Sequence, residues 1–255
     1  MFSKLSGLVA LACAAFTTSA PTKRVADSLG WAKYWFAFGD SYTSRGFNVS
    51  GTLPAPGNPF GNPAYPGATG VGANWLDFDT TVYNRTLILT YDYAAAGATI
   101  NTTLVAPTLA TRDFIQQVDE FEAGAAQRPT SAPWTSFGAL FSVWFGINDI
   151  NNSYEEGGDR ETFSDVLLDE YFAQVERLQR AQAFASSHWG VRQFVWDSNS
   201  AFNVVLDNPT KYGFVDATSY GQTGDFWAND FHPSSNAHNI WAQDVAALLN
   251  NTIWF

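Results

Sequence analysis

The sequence predicts an α/β fold in which a parallel sheet is covered by helices on both faces. Short apolar runs alternate along the chain with amphipathic helical stretches. Polar blocks follow directly after the apolar runs, at the sheet edge where a parallel fold collects its reactive groups. The 255 residues, 46% of them hydrophobic, suffice for one well-buried domain.

The elements follow in order. Residues 1–20 read as a secretory signal peptide: Lys4, the apolar run GLVALACAAF, then the small residues TTSA. The run is too short to span a bilayer. A dibasic pair, Lys23-Arg24, offers a second processing point, so the single domain proper is taken as 25–255. Residues 33–38 (KYWFAF), closed by Gly39, form a buried strand. Residues 51–72 are dense in Pro, Gly and Asn and form a long ordered loop; loops of such length are usually functional. A short helix is expected over about 73–83 and a second strand over 87–94 (LILTYDYA). Residues 108–127 have helical spacing, with Leu109, Phe114, Ile115, Val118 and Phe121 on the apolar side. A third strand spans 138–145 (GALFSVWF). A long helix follows over 161–187, with Phe163, Val166, Leu167, Tyr171, Val175 and Leu178 on one stripe. The fourth strand is 191–196 (VRQFVW), and a last helix runs from about 235 to 249.

Scarcities narrow the chemistry. The one cysteine, Cys13, lies in the leader, so the mature chain can build no thiolate zinc site, iron–sulfur cluster or disulfide. The histidines are His188, His232 and His238, and no ligand cluster accompanies them, so no metal and no cofactor is expected. Twenty-four acidic against thirteen basic residues give a net charge of −11, which disfavours a nucleic-acid partner. No second apolar segment is long enough for a membrane span. Five N-x-S/T sequons, at Asn48, Asn84, Asn101, Asn151 and Asn250, fit a secreted glycoprotein. A monomer is expected.

Four positions carry the candidate chemistry. Ser41 follows the first strand, where a turn presents a hydroxyl at the sheet edge. The G-x-S-x-G form of that turn is absent, and a helix-capping Ser is the plain alternative. Gly97 follows the second strand, where a backbone N–H can approach a ligand or simply turn the chain. Asn148 follows the third, where its amide can donate to an oxyanion or close an Asx-turn. His232, before Pro233, is placed to be a base for Ser41. His188 reads as a helix-end residue and His238 as structural. Asp40 and Asp149 read as turn-pinning groups.

Four blocks in this order, FGDSYTSRGFN, YDYAAAGATIN, FGINDIN and WANDFHPSSNAH, resemble the SGNH (GDSL) hydrolase superfamily. The segments GNPFGNPAYPGATGVGANW, LTYDYAAAGAT and LVAP resemble secreted fungal acylhydrolases grouped with the carbohydrate esterase family 16 acetylesterases. The likeness covers nearly all of residues 34–250. It implies a three-layer α/β/α fold and a serine esterase mechanism. Ser41 would be the nucleophile and His232 the base, with an oxyanion hole of the Ser41 N–H, the Gly97 N–H and the Asn148 side chain. The substrate it implies is a small ester, an acetylated cell-wall oligosaccharide above all. A lipase or lysophospholipase-type acylhydrolase is the alternative within enzymes, and a catalytically silent carbohydrate-binding homologue the alternative outside them.

The chain departs from that pattern twice. Where the family places an Asp three residues before the catalytic His, this chain has Asn229, with Asp230 one place later. The Asn229 side chain, a backbone carbonyl or Asp230 could orient His232. The second departure is larger. The sequence runs from the long helix straight to the strand at 191–196, so one βα unit is absent and four strands are expected rather than five. The final strand would then move into the vacant slot, or the sheet would carry a gap.

Overall fold

Alternation within the strands sets the layers. The computed structural model describes residues 8–14, 32–65, 72–109, 111–183 and 191–255. Strand β2 (Lys33–Gly39) lies at the heart of the sheet. Its Tyr34, Phe36 and Phe38 enter one core and its Trp35 and Ala37 the other, as a period of two requires. Strand β4 (Ala139–Trp144) repeats the division, with Phe141 and Val143 on the first side and Leu140 and Trp144 on the second. Helices α2 (Phe114–Ala123) and α4 (Arg160–Ala183) cover the first face. Helices α1 (Trp75–Thr81), α5 (Ser198–Leu206) and α6 (Ser235–Leu248) cover the second. This is the three-layer α/β/α arrangement, with helices on both sides of a parallel sheet.

The helix boundaries have local causes. Asn74 caps α1 and Asp113 caps α2, each in a reciprocal capping box with the third helical residue. The second box starts α2 at Phe114, so Leu109, expected on its apolar stripe, lies before the helix and is 59% exposed. On α4, Leu167, Tyr171, Val175 and Leu178 are buried as expected, whereas Val166 faces solvent. Helix α5 was not foreseen; Asp197 caps it through the Ser200 N–H, 3.0 Å.

The sheet order is β3-β2-β4-β1-β5, with β3 at Ile88–Asp92 and β5 at Val191–Asp197. Strands β2, β3, β4 and β5 run parallel, which gives the four parallel strands expected. The expectation of four strands in all is corrected. A fifth, β1 (Leu8–Ala14), lies antiparallel between β4 and β5. The vacant slot is neither left open nor taken by β5. The apolar run read as a leader core pairs with both neighbours, because the facing edges of β4 and β5 need hydrogen-bond partners. The rest of that leader, the Lys23-Arg24 pair, residues 66–71 of the Pro- and Gly-rich loop, and His188 lie outside the described residues. Strand β5 stays thinly covered on one side, and Val195 is 59% exposed there.

Candidate active site

The turn that carries Ser41 is built by close approach. Gly39 ends β2 where a Cβ would sit 2.8 Å from the Trp144 carbonyl, so only glycine lets β2 and β4 end side by side. The Gln117 side chain, fully buried on α2, receives the Gly39 N–H at 3.0 Å and donates to the Gly39 carbonyl at 2.9 Å. Past this clamp the chain turns sharply. The Asp40 carbonyl accepts from Thr43 and Ser44, and Asp40 Oδ1 accepts from the Tyr42 N–H at 3.0 Å. Ser41 stands at the crest of that turn, partly exposed.

Ser41 Oγ lies 2.8 Å from His232 Nε2, across 191 residues of chain. The other ring nitrogen, Nδ1, is 3.1 Å from Asn229 Oδ1. That amide oxygen also accepts the Phe231 and His232 backbone N–H groups, at 2.9 and 2.7 Å, and so shapes the loop that carries the imidazole. Asp230 is exposed and acts on His232 only through its charge. Burial lowers the His232 pKa below its ordinary value, and the Asp230 carboxylate partly opposes this.

Gly97 and Asn148 follow the two strands that flank β2. Gly97 turns the chain at φ +76°, a conformation favouring glycine. The Asn148 Nδ2 donates to the Ala98 carbonyl at 2.9 Å, which pins the amide beside Gly97 and leaves its second N–H for another acceptor. Asp149 Oδ1 accepts from Ile100 N at 3.0 Å and ties the same two loops. Burial pushes Asp40 up to about 7 and Asp149 up to about 6.

His238 is buried on α6 against Trp241 and Tyr42. Burial, with His232 nearby, takes its pKa down to about 3, so it is a neutral packing ring. Among the described residues no group of three or more His, Cys, Asp or Glu could hold a metal ion. No helix among them is long and apolar enough to cross a membrane.

Two further residues position the site. Tyr42 donates its hydroxyl to the Phe231 carbonyl at 2.8 Å, linking the Ser41 turn to the histidine loop. Gln117 had a legible signal: it falls on the buried stripe Phe114, Gln117, Val118, Phe121, where a polar residue needs a specific partner. Tyr42 had none, since its partner is a backbone atom 189 residues away.

The family model of the GDSL-like lipase/acylhydrolases matches residues 36–245. The chain is also similar to a protein named acetylesterase from Thermothelomyces thermophilus, at 32% identity over 295 positions covering 96% of each chain. Those 295 positions exceed the 255 residues here by 40, so at least 40 of them lie opposite gaps in this chain.

Proposed function

Because the chain belongs to the GDSL-like lipase/acylhydrolase family and is an ester-hydrolysing enzyme, we propose that Ser41 is its nucleophile, His232 its general base and Asn229 the group that orients the imidazole. The unbroken run from Asn229 Oδ1 through the His232 ring to Ser41 Oγ carries this reading. With Nδ1–H donating to Asn229, the lone pair is on Nε2, facing the hydroxyl it must deprotonate.

The reaction follows from that tautomer. Ser41 Oγ attacks the ester carbonyl as His232 takes its proton. The Ser41 N–H, the Gly97 N–H and the second Asn148 N–H receive the oxyanion. Removing one such donor costs about 10²–10³ in kcat. His232 then gives its proton to the leaving alcohol, and water repeats the sequence on the acyl-enzyme to release the acid.

The natural substrate in this reading is an acetylated cell-wall oligosaccharide. The relative named acetylesterase and the sequence blocks it resembles support that choice. The enzyme works outside the cell as a monomeric glycoprotein. The leader-like N-terminus supports export, as do the exposed sequon residues Asn48, Asn151 and Asn250.

A serine-directed organophosphate is the direct test, run beside hydrolysis of p-nitrophenyl acetate. The expected result is labelling and turnover in the wild type and neither in Ser41→Ala. Labelling that survives in Ser41→Ala would assign the nucleophile elsewhere.

A further inference from the structure

The loop over residues 51–65 supplies no group to ester cleavage, yet it is held firmly. Asn62 ties its arms: Oδ1 accepts the Asn48 N–H at 3.0 Å, and Nδ2 donates to the Asn48 and Thr52 carbonyls at 2.8 and 2.7 Å. At Gly61, φ +69°, a Cβ would lie 2.3 Å from the Thr52 carbonyl oxygen, so the arms press together too closely for a side chain there. The Pro59 carbonyl accepts the Thr90 N–H at 2.8 Å, which fastens the loop to edge strand β3.

On this frame stands a short column. The Arg45 guanidinium, buried in its pair with Asp77, lies 3.6 Å from the centre of the Phe60 ring. The Phe60 and Tyr65 rings are stacked, with centroids 6.2 Å apart and planes 24° from parallel. Phe60 is 1% exposed and Tyr65 42%. The column thus ends in an aromatic surface open to solvent and backed by a buried ring.

Its place follows from the ends of the segment that carries it. The chain leaves the Ser41 turn at Arg45, whose N–H is held by Asp92 Oδ2. It returns at Ala73, whose carbonyl accepts from Ser235 Oγ at 2.7 Å, three residues past His232. Asn74 Nδ2 then donates to the Thr43 carbonyl at 2.7 Å. One end borders Ser41 and the other the loop of His232. His232 must protonate the leaving oxygen, so the alcohol part of the ester lies on the imidazole's side, where this segment returns.

We propose that the exposed face of Tyr65 is a stacking platform for a pyranose ring in the alcohol part of the substrate, beyond the sugar that bears the acetyl group; the proposal rests on the acetylated-oligosaccharide reading above. A pyranose carries C–H groups on its flat face and hydroxyls around its edge. An exposed aromatic face covers the first and leaves the second in water, so no hydroxyl is buried without a partner. A ring held by its own stack loses little freedom on binding. Tyr65 acts away from the reacting atoms, so it contributes binding alike to substrate and transition state. Its loss therefore raises KM and leaves kcat unchanged.

The test compares kcat and KM on partially acetylated plant cell-wall oligosaccharides and on p-nitrophenyl acetate, in the wild type, Tyr65→Ala and Tyr65→Trp. Tyr65→Ala should raise KM for the oligosaccharides about tenfold and leave p-nitrophenyl acetate turnover unchanged, which also shows that the variant is folded. Tyr65→Trp, with a flat ring in the same place, should keep the wild-type KM. An unchanged oligosaccharide KM in Tyr65→Ala overturns the proposal. An equal loss on both kinds of ester overturns it as well, since Tyr65 would then only prop the loop. A wild type that cleaves p-nitrophenyl acetate but none of the oligosaccharides would instead remove the substrate reading on which the platform depends.

Discussion

At the scale of single residues, the unusual feature is a neutral amide behind the base. Asn229 Oδ1 accepts the Phe231 and His232 backbone N–H groups and lies 3.1 Å from His232 Nδ1, but it offers no full charge to an imidazolium. Burial lowers the His232 pKa, so the neutral, basic form persists below the ordinary value near 6.5. The acid limb of kcat/KM is therefore expected below about pH 6.5. Asn229→Asp puts a carboxylate at the same 3.1 Å contact. It should raise the pKa, move the acid limb to higher pH, and raise plateau kcat about tenfold, since a charge-assisted hydrogen bond is roughly twice as strong as a neutral one. An unchanged pH profile and rate would take Asn229 out of the mechanism.

Two elements carry the site without touching it. The loop over residues 51–65 is tied down by Arg45, which is buried, pairs with Asp77 at 2.6 Å, donates to the Pro63 carbonyl at 3.1 Å and stacks 3.6 Å over Phe60. Its backbone N–H meets Asp92 Oδ2 at 2.6 Å. Arg45→Met would strand the Asp77 charge in the core, so urea unfolding should show a loss of about 3–5 kcal/mol. A loss under about 1 kcal/mol would mean that water reaches Asp77. The second element is β1. Export with signal cleavage would remove the seven residues that pair with β4 and β5 and open two strand edges. A chain beginning at residue 21 should melt at least about 4 °C below the full chain and recover with a synthetic Leu8–Ala14 peptide. Equal melting temperatures would show that the sheet closes without β1.

For the molecule as a whole, burial and charge together set the response to pH. Burial pushes Asp40 and Asp92 up to about 7 and Asp149 up to about 6. The folded state therefore holds protons that the unfolded chain has released. The stability these groups contribute is greatest in acid and is lost as pH rises from about 4 through about 7. The two imidazoles act oppositely: with folded pKa values below the unfolded one, they cost stability as pH falls below about 6.5. Three carboxyls outweigh two imidazoles in this window, and acidification also relieves the self-repulsion of a chain at −11. The melting temperature should be higher at pH 5 than at pH 8 in scanning calorimetry. A melting temperature that climbs with pH over that range would mean the carboxyls are solvated.

The layers, the four parallel strands and the candidates Ser41, Gly97, Asn148 and His232 were legible in the bare chain. Apolar periodicity is local, and a strand followed by a polar turn is legible wherever it occurs. Even the absent βα unit shows in the bare chain, because no strand separates the long helix from β5. The folded chain was needed to show which atom faces His232 Nδ1, that Tyr42 ties the Ser41 turn to the histidine loop, that Arg45 anchors the 51–65 loop, and that an N-terminal run occupies the vacant slot. Those contacts join residues far apart in the chain. A hydrogen bond to a distant backbone atom, or a strand's choice of neighbour, leaves no period to read: each is settled by which unpaired groups the rest of the fold brings within reach.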